Sequence, residues 1–510
     1  MCCVWTILGN YVIQEFIKYF DLLNKRGPDS KNILDLKNIA MCFHRLAIMG
    51  LSDAGNQPLK LPNKDIWLTA NAEIFNYKDL LENTKPVSDS DCESILYCYD
   101  KYGIEETVNK LDGEFAFTLY DRTKETLFVA RDPFGVRPLF MGESKDDQTI
   151  IFSSEIKGIP DHFTISHVSP GTYMEVSKKD LSVKTTRYYE YIFPNIFNPS
   201  MYDSIYNKLV KAVEKRLVAD REVGVLLSGG LDSSLVAAIA SRKIRQEGGQ
   251  LHTFSIGMER GTDLKFARDV ARHIGSKHHE VIKTKEEFLK AIPDVVYATE
   301  SHDVTTIRAS VGHYLLAKYI KENTDIKVLL GGEGADEVCG GYLYITKAPN
   351  TEEFHKECVR LLENIHLFDV TRSDRCISSQ HGLESRVPFL DKDFVKTYLG
   401  TLSNHRDGGH KRLLRNVFHK TGLIPVDVIL RQKEAFSDGV SPLEDSWHTI
   451  IQRHLDTVIP DNEKSEKLTK EQYYYLTLFI KFFGSKNINI IPFHWEPKWT
   501  KVKDPSARLL

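Results

Sequence analysis

The stretch Glu222-Val-Gly-Val-Leu-Leu-Ser-Gly-Gly-Leu-Asp-Ser-Ser-Leu-Val-Ala-Ala-Ile-Ala240 constrains the fold more than any other part of the chain. Val223 to Leu227 is an apolar run of strand length, too short for a helix of its own. Leu235 to Ile244 is rich in Ala and Leu and ends in basic residues, as a helix ending should. Between them Ser228, Gly229, Gly230, Asp232, Ser233 and Ser234 form a sharp turn. A strand that turns through glycines into a helix aims several backbone N–H groups, and the positive end of the helix, at one small volume. That volume suits phosphate. Lys327-Val-Leu-Leu-Gly-Gly-Glu-Gly-Ala-Asp-Glu337 repeats the scheme, a strand entering a glycine-rich loop. Strands at Leu251–Ile256 and His278–Ile282 alternate with helical runs near Leu264–Ile274 and up to Glu300. That alternation specifies a parallel sheet with ligands at the carboxyl ends of its strands.

The first loop lacks the Gly-Lys-Thr or Gly-Lys-Ser ending of a nucleotide-hydrolysing P-loop, and its adjacent glycines do not fit GxGxxG. It resembles the SGGxDS pyrophosphate loop of the PP-loop ATP pyrophosphatases, which split ATP into AMP and pyrophosphate.

At 510 residues and 58.3 kDa the chain has room for two or three domains. Its net charge of −3 gives no general attraction to nucleic acid, and no apolar run approaches membrane-spanning length. The start has no basic leader ahead of its apolar residues, so no secretory signal is expected. None of the eight cysteines forms a CxxC pair or a zinc-like cluster, which fits reduced thiols in the cytoplasm.

Met1-Cys2-Cys3-Val-Trp-Thr-Ile-Leu8 reads as a strand beginning at the terminus. Removal of Met1 would leave Cys2 with a free α-amine whose ordinary pKa is about 7.7 to 8.0, so that it could serve as base for its own thiol. Further along come Arg26-Gly-Pro-Asp29, His44-Arg-Leu-Ala-Ile48, Asn71-Ala-Glu-Ile-Phe-Asn76, Ser90-Asp-Cys-Glu93, Leu111-Asp-Gly-Glu-Phe-Ala-Phe117, Arg131-Asp-Pro-Phe-Gly-Val-Arg-Pro-Leu-Phe140 and Ser153-Ser-Glu-Ile-Lys157. This series closely resembles the class II glutamine amidotransferase domain, an N-terminal-nucleophile hydrolase. With the SGGLDSS loop the whole chain is similar to the glutamine-hydrolysing asparagine synthetases, down to Trp495-Glu-Pro-Lys-Trp499 and Asp504-Pro-Ser-Ala-Arg508. Glu471-Gln-Tyr-Tyr-Tyr475 and this tail resemble the eukaryotic type.

The resemblance implies two domains: an αββα amidotransferase sandwich over about residues 2–190, and an α/β PP-loop synthetase domain over about 207–510. The turn-rich segment from Tyr188 to about Tyr206, with Pro194, Asn195, Asn198 and Pro199, reads as the linker. Cys2 would be the glutaminase nucleophile. Arg45 would clamp the glutamine α-carboxylate, Glu73 and Asp91 its ammonium, and Ile48 would complete the pocket. The Asn71 amide and the Ala72 N–H would form the oxyanion hole. In the second domain Ser228, Gly229, Gly230, Asp232, Ser233, Gly331 and Lys433 would hold ATP, while Leu226, Ile256 and Gly332 frame the adenine. Asp232 and Asp336 would hold Mg²⁺. Thr305, Thr306, Arg308, Asp369 and Arg372 would contact aspartate and its adenylate, and Glu333 would deprotonate the attacking nitrogen. The implied partners are ATP, aspartate and glutamine, with no nucleic acid and no membrane, in a cytoplasmic enzyme compatible with a homodimer. Ammonia made at Cys2 would cross between the domains through a mostly apolar passage.

Five positions depart from the family pattern. Cys3 and Ala72 stand where it has Gly, Gly331 and Ala335 where it usually has Ser, and Cys339 where it often has Phe. A requirement for positive φ at Ala72 would misaim its N–H, and a hydroxyl missing at Gly331 would remove a contact to ATP. Relatives that close a β-lactam ring generally lack a working terminal Cys. A tRNA-modifying relative would want a basic patch or a catalytic cysteine pair, and a catalytically dead module would not need Cys2, Asp232 and Glu333 together.

Overall fold

The computed structural model describes residues 1–194, 196, 199–406, 410–460, 468–491 and 495–501. Asn195 and Asn198 of the linker and the Asp504–Arg508 tail lie outside the described residues.

Alternating apolar residues drive the first half into two antiparallel six-stranded sheets laid face to face. Strand Cys3–Gly9 lies inside one sheet, paired on either side with Ile39–Arg45 and Thr149–Ser153. The other sheet is centred on Ile66–Ile74, Gly113–Asp121 and Thr126–Arg131. Val4, Leu8, Met41 and Phe43 of the first meet Ala116, Tyr120 and Val129 of the second in a fully buried layer. Helix Ile13–Asp21 covers the outside of the first sheet through Phe16 and Phe20, and Glu93–Lys110 covers the outside of the second through Ile95, Leu96 and Tyr99. The result is the four-layer αββα sandwich expected. Because successive strand residues face opposite ways, Cys3 turns into the layer beneath helix Ile13–Asp21, whereas Cys2 borders both the inter-sheet layer and the core of the second half.

The second half is a five-stranded parallel sheet. Its spatial order is Lys277–Ile282, His252–Gly257, Val223–Leu226, Val328–Leu330, Glu384–Arg386, so the chain winds outward in one direction from Val223–Leu226 and then in the other. A crevice opens where the winding reverses, between the carboxyl ends of Val223–Leu226 and Val328–Leu330. Both glycine-rich loops leave the sheet there.

The linker is shorter than its turn residues suggest. Helix Met201–Lys215 begins inside it, because Met201, Ile205, Leu209 and Val213 form a buried stripe at four-residue spacing. This stripe joins a core that also takes Leu46, Phe134 and Val136 from the sandwich, so the domains share one apolar interior. Around it runs a web of buried ion pairs. Arg26 bridges Glu155 (2.7 Å) of its own domain and Asp374 (3.0 Å) of the other, and Arg137 meets Glu114 at 3.0 Å. Arg216 joins Glu114 (2.8 Å) to Asp391 (3.1 Å).

Candidate active sites

Antiparallel pairing of Cys3 with His44 sets Cys2 opposite Arg45 at one end of the first sheet. Met1 is wholly buried, and its amine donates to the Leu383 carbonyl at 2.9 Å. Burial drags that amine down to about 5. The Cys2 thiol donates to the Leu46 carbonyl at 3.5 Å, and burial raises it. Arg26 Nε fixes the Cys2 carbonyl at 3.1 Å. The Arg45 guanidinium is held by the loop that follows its own strand, donating to Ser52 O (2.8 Å), Asn56 Oδ1 (2.9 Å) and Gly50 O.

From the facing sheet, strand Ile66–Ile74 brings in Asn71, Ala72 and Glu73. Asn71 Nδ2 is buried without a hydrogen-bond partner, a donor aimed at nothing the protein supplies. Ala72 does not have a positive φ, so the feared backbone strain is absent and its methyl fits an ordinary strand. Asp91 accepts from the Ile74 N–H at 2.7 Å, and burial raises its carboxyl to about 6. Glu73 is also raised by burial, against the pull of Arg386 at 2.8 Å. Ile48, expected in the glutamine pocket, packs its side chain into the shared interdomain core.

Arg386 belongs to the second domain, as do Leu383 and Glu384. The Glu384–Arg386 strand therefore does more than close the parallel sheet: it reaches the Cys2 end of the sandwich, with Arg386 Nε on Glu384 at 2.8 Å and its Nη2 on Glu73. Nothing in the composition of this stretch shows what lies across the domain boundary.

The second cluster occupies the switch-point crevice. Ser228 and Ser233 hydroxyls meet at 3.0 Å, the Ser228 N–H donates to Ser233 Oγ at 3.2 Å, and the Gly230 N–H to Ser228 Oγ at 3.3 Å. Gly229 makes the turn possible. Its φ is +73°, and a side chain there would run into Phe266 and the Ala267 N–H. Helix Leu231–Gln246 starts at Gly230 without a side-chain cap, leaving its amino end facing the crevice. Leu226 and Ile256, at the ends of neighbouring strands, line the apolar side with Gly332.

Asp232 and Asp336 face each other across Lys411, which contacts Asp232 and lies 2.7 Å from Asp336. Lys433 reaches Asp336 at 2.6 Å. These two cations hold Asp336 far below the ordinary carboxyl range despite its burial, and the carboxylates in turn raise Lys411. Asp232 Oδ1 remains buried and unpartnered. Two hard carboxylates that already share a cation, one with a spare oxygen, form a donor set that fits Mg²⁺ together with phosphate oxygens. Lys411 had no signal in sequence, since it follows a short Gly-Gly-His run that matches no motif.

Three of the expected contacts are already engaged within the protein. The Gly331 N–H donates to the Arg386 carbonyl at 3.0 Å, and a side chain there would collide with the Glu333 carboxylate. Thr306 is wholly buried and its hydroxyl donates at 2.9 Å to Asp303, the residue that caps helix Val304–Asn323, while Thr305 faces the crevice. Arg308 lines the crevice, but Glu471 holds its guanidinium at 2.7 and 2.6 Å. Asp369 and Arg372, three residues apart, pair with each other at the junction of a short α-helix and the π-helix Arg372–Ser379. Both border the crevice, and Asp369 also accepts from the Gly334 N–H at 2.8 Å. Glu333 stands at the crevice wall, raised by burial.

Comparison with known proteins agrees with this arrangement. The "Asparagine synthase" family model matches residues 204–352 and 345–502, and the "Glutamine amidotransferase domain" model matches residues 1–205. The glutamine-hydrolysing asparagine synthetase of Gallus gallus is 39% identical over 100% of this chain and 98% of its own length. The chain belongs to the glutamine-hydrolysing asparagine synthetase family. The enzyme of the same name from Homo sapiens is 38% identical over the same shares. Among solved structures, a glutamine phosphoribosylpyrophosphate amidotransferase from B. subtilis overlaps 55% of this chain and 81% of its own, at 17% identity and a TM-score of 0.33, too slight a likeness to build on. Among the described residues no helix is long and apolar enough to cross a membrane.

Proposed function

We propose that the chain converts aspartate, glutamine and ATP to asparagine, glutamate, AMP and pyrophosphate, with the amidotransferase domain at about 2–190 and the synthetase domain at about 207–510. One observation carries this reading: a half-buried thiol among acids and an orphaned amide donor, and a phosphate-suited crevice with a carboxylate pair, lie on either side of one shared core.

Removal of Met1 converts the Cys2 nitrogen from an amide to an amine. Such an amine has an ordinary pKa of about 7.7 to 8.0, so a useful fraction is neutral near pH 7 and takes the thiol proton. The Cys2 sulfur then attacks the glutamine side-chain carbonyl, ammonia leaves, and water cleaves the thioester. Asn71 Nδ2 and the Ala72 N–H stabilise the oxyanion of both tetrahedral intermediates. Arg45 binds the substrate carboxylate, and Glu73 and Asp91 its ammonium.

In the crevice Ser228, Gly230, Ser233 and Lys433 bind the phosphates of ATP. Asp232 and Asp336 would hold Mg²⁺, which when bound neutralises charge on the departing pyrophosphate. The aspartate β-carboxylate attacks the α-phosphorus and pyrophosphate leaves. Ammonia next forms a C–N bond to the β-carbonyl carbon, Glu333 takes a proton from the resulting ammonium, and the C–O bond to AMP breaks. Thr305, Asp369 and Arg372 orient aspartate and its adenylate. Magnesium as the counter-ion, a cytoplasmic setting, a homodimeric assembly and an apolar passage for ammonia belong to the same proposal.

Incubation with the three substrates should yield asparagine, AMP and pyrophosphate in equal amounts. AMP and pyrophosphate forming without asparagine would sink the reading.

A further inference from the structure

His313 lies midway along helix Val304–Asn323, buried to within 8% of full cover, with its ring at the crevice wall. Its Nε2 is 3.6 Å from Glu333 Oε1, and its Nδ1 is buried with no hydrogen-bond partner. Phe436 stacks on the ring, with centroids 4.6 Å apart and planes 18° from parallel. Gly312 admits this stack, since a side chain there would strike the Phe436 ring. Two residues before Glu333, Gly331 leaves open the space that its Oε2 occupies. Glu333 Oε2 is buried and unpartnered. The carboxylate thus has one oxygen beside an immobilised imidazole and the other free.

We propose that His313 is a positioning residue for the synthetase reaction: its Nε2–H holds Glu333 Oε1, so that Oε2 stays aimed at the nitrogen attacking the aspartyl-adenylate. The proposal rests on Glu333 being the base, as above. A buried carboxylate serves as a base only while ionised, and a donor on one oxygen favours the ionised form without occupying the other. Imidazole suits the task because its neutral form donates from one nitrogen only, and burial pushes His313 down to about 3, keeping it neutral. The 3.6 Å separation exceeds a hydrogen bond by a few tenths of an ångström, the looseness expected of a catalytic contact before substrate closes it. The charged groups acting on the Glu333 carboxyl from the neighbouring elements are Arg372, which favours its ionised form, and Asp232, which opposes it.

The test compares amides of two lengths. His313→Gln keeps an N–H within reach of Glu333, whereas His313→Asn places its amide near the Nδ1 position and falls short, and His313→Leu removes the donor. With ammonium chloride as nitrogen source, the Asn and Leu variants should lose roughly 10- to 100-fold in kcat for asparagine. Their KM for ATP and aspartate, and the aspartate-dependent ATP–pyrophosphate exchange that precedes ammonia attack, should stay within about twofold of the parent. His313→Gln should recover to within about threefold of the parent kcat. Should the Leu variant fail to fold, the Asn and Gln pair decides alone, with exchange activity reporting that the crevice is intact. The proposal is overturned if Asn and Leu keep the parent kcat, if exchange falls in step with synthesis, or if Gln performs no better than Asn. Glu333→Gln separates the underlying reading: if it still makes asparagine from ammonia at the parent rate, Glu333 is not the base and His313 has nothing to position.

Discussion

Arg26 sits where the two domains and the nucleophile meet, and its removal should be felt at both. Its side chain is fully buried. It donates to Glu155 at 2.7 Å, to both oxygens of Asp374 at 3.0 and 3.2 Å, and to the Cys2 carbonyl at 3.1 Å. In Arg26→Met, Glu155 keeps Lys157 at 2.6 Å, but among the described residues Asp374 retains only Arg137 at 3.9 Å. The variant therefore leaves one buried carboxylate nearly uncompensated, at a cost of about 3–5 kcal/mol. Glu155 gives a second view of the size. Burial would raise it, yet Lys157 and Arg26 together hold it at about 2 instead of 4.5, a contribution of roughly 3 kcal/mol at neutral pH that both cations share. That contribution is complete above about pH 4.5 and lost as pH falls toward 2. Urea unfolding followed by tryptophan fluorescence at pH 7 should show the first transition losing about 3–5 kcal/mol in Arg26→Met. Adding Asp374→Asn removes the orphaned charge, so the double variant should recover at least ~1 kcal/mol of that loss. Glutaminase turnover should fall with Arg26→Met, since the Cys2 carbonyl loses its anchor. A loss below about 1 kcal/mol, or strict additivity of the two substitutions, would refute the argument that Asp374 depends on Arg26.

The other expectations are narrower. Asn71→Ala should lower glutaminase kcat by roughly 10²- to 10³-fold while asparagine formation from ammonium chloride is unchanged; equal losses from both nitrogen sources would remove Asn71 from the oxyanion hole. Cys2→Ala should abolish glutamine-dependent synthesis and spare the ammonia-dependent reaction, and Cys3→Ala, whose thiol faces the opposite layer, should spare both. The glutaminase kcat/KM should decline on the acid side of about pH 6, where Asp91 takes up a proton and can no longer pair with the glutamine ammonium; a profile flat down to pH 5 argues against that pairing. Lys411→Met leaves Asp232 and Asp336 facing each other without their shared cation, and KM for ATP should rise about tenfold, or ~1.4 kcal/mol.

What was legible in the sequence was what depends on neighbours along the chain. Val223–Leu226 and its glycine turn are readable because a strand, a positive-φ Gly229 and an Ala-rich helix each leave a local mark. The sandwich was recognisable from a series of short motifs, and the opposite facing of Cys2 and Cys3 from strand alternation alone. Contacts made across the fold left no such mark. Thr305 and Thr306 are adjacent in sequence, yet only the first faces the crevice, because the helix cap at Asp303 claims the second hydroxyl. Arg308 is held by Glu471, 163 residues away. The Glu384–Arg386 strand looks like sheet structure until the sandwich is docked beside it, when Arg386 reaches Glu73 and the Leu383 carbonyl receives the N-terminal amine. Gly331 illustrates the same limit from the other side. Taken one position at a time it is a hydroxyl lost from a nucleotide site, but in three dimensions it is the space that Glu333 Oε2 fills while Oε1 lies 3.6 Å from His313. A departure from a family pattern thus acquires its meaning only with the residue that fills the vacated space, and that residue is fixed by the packing of a helix and a loop far apart in the chain.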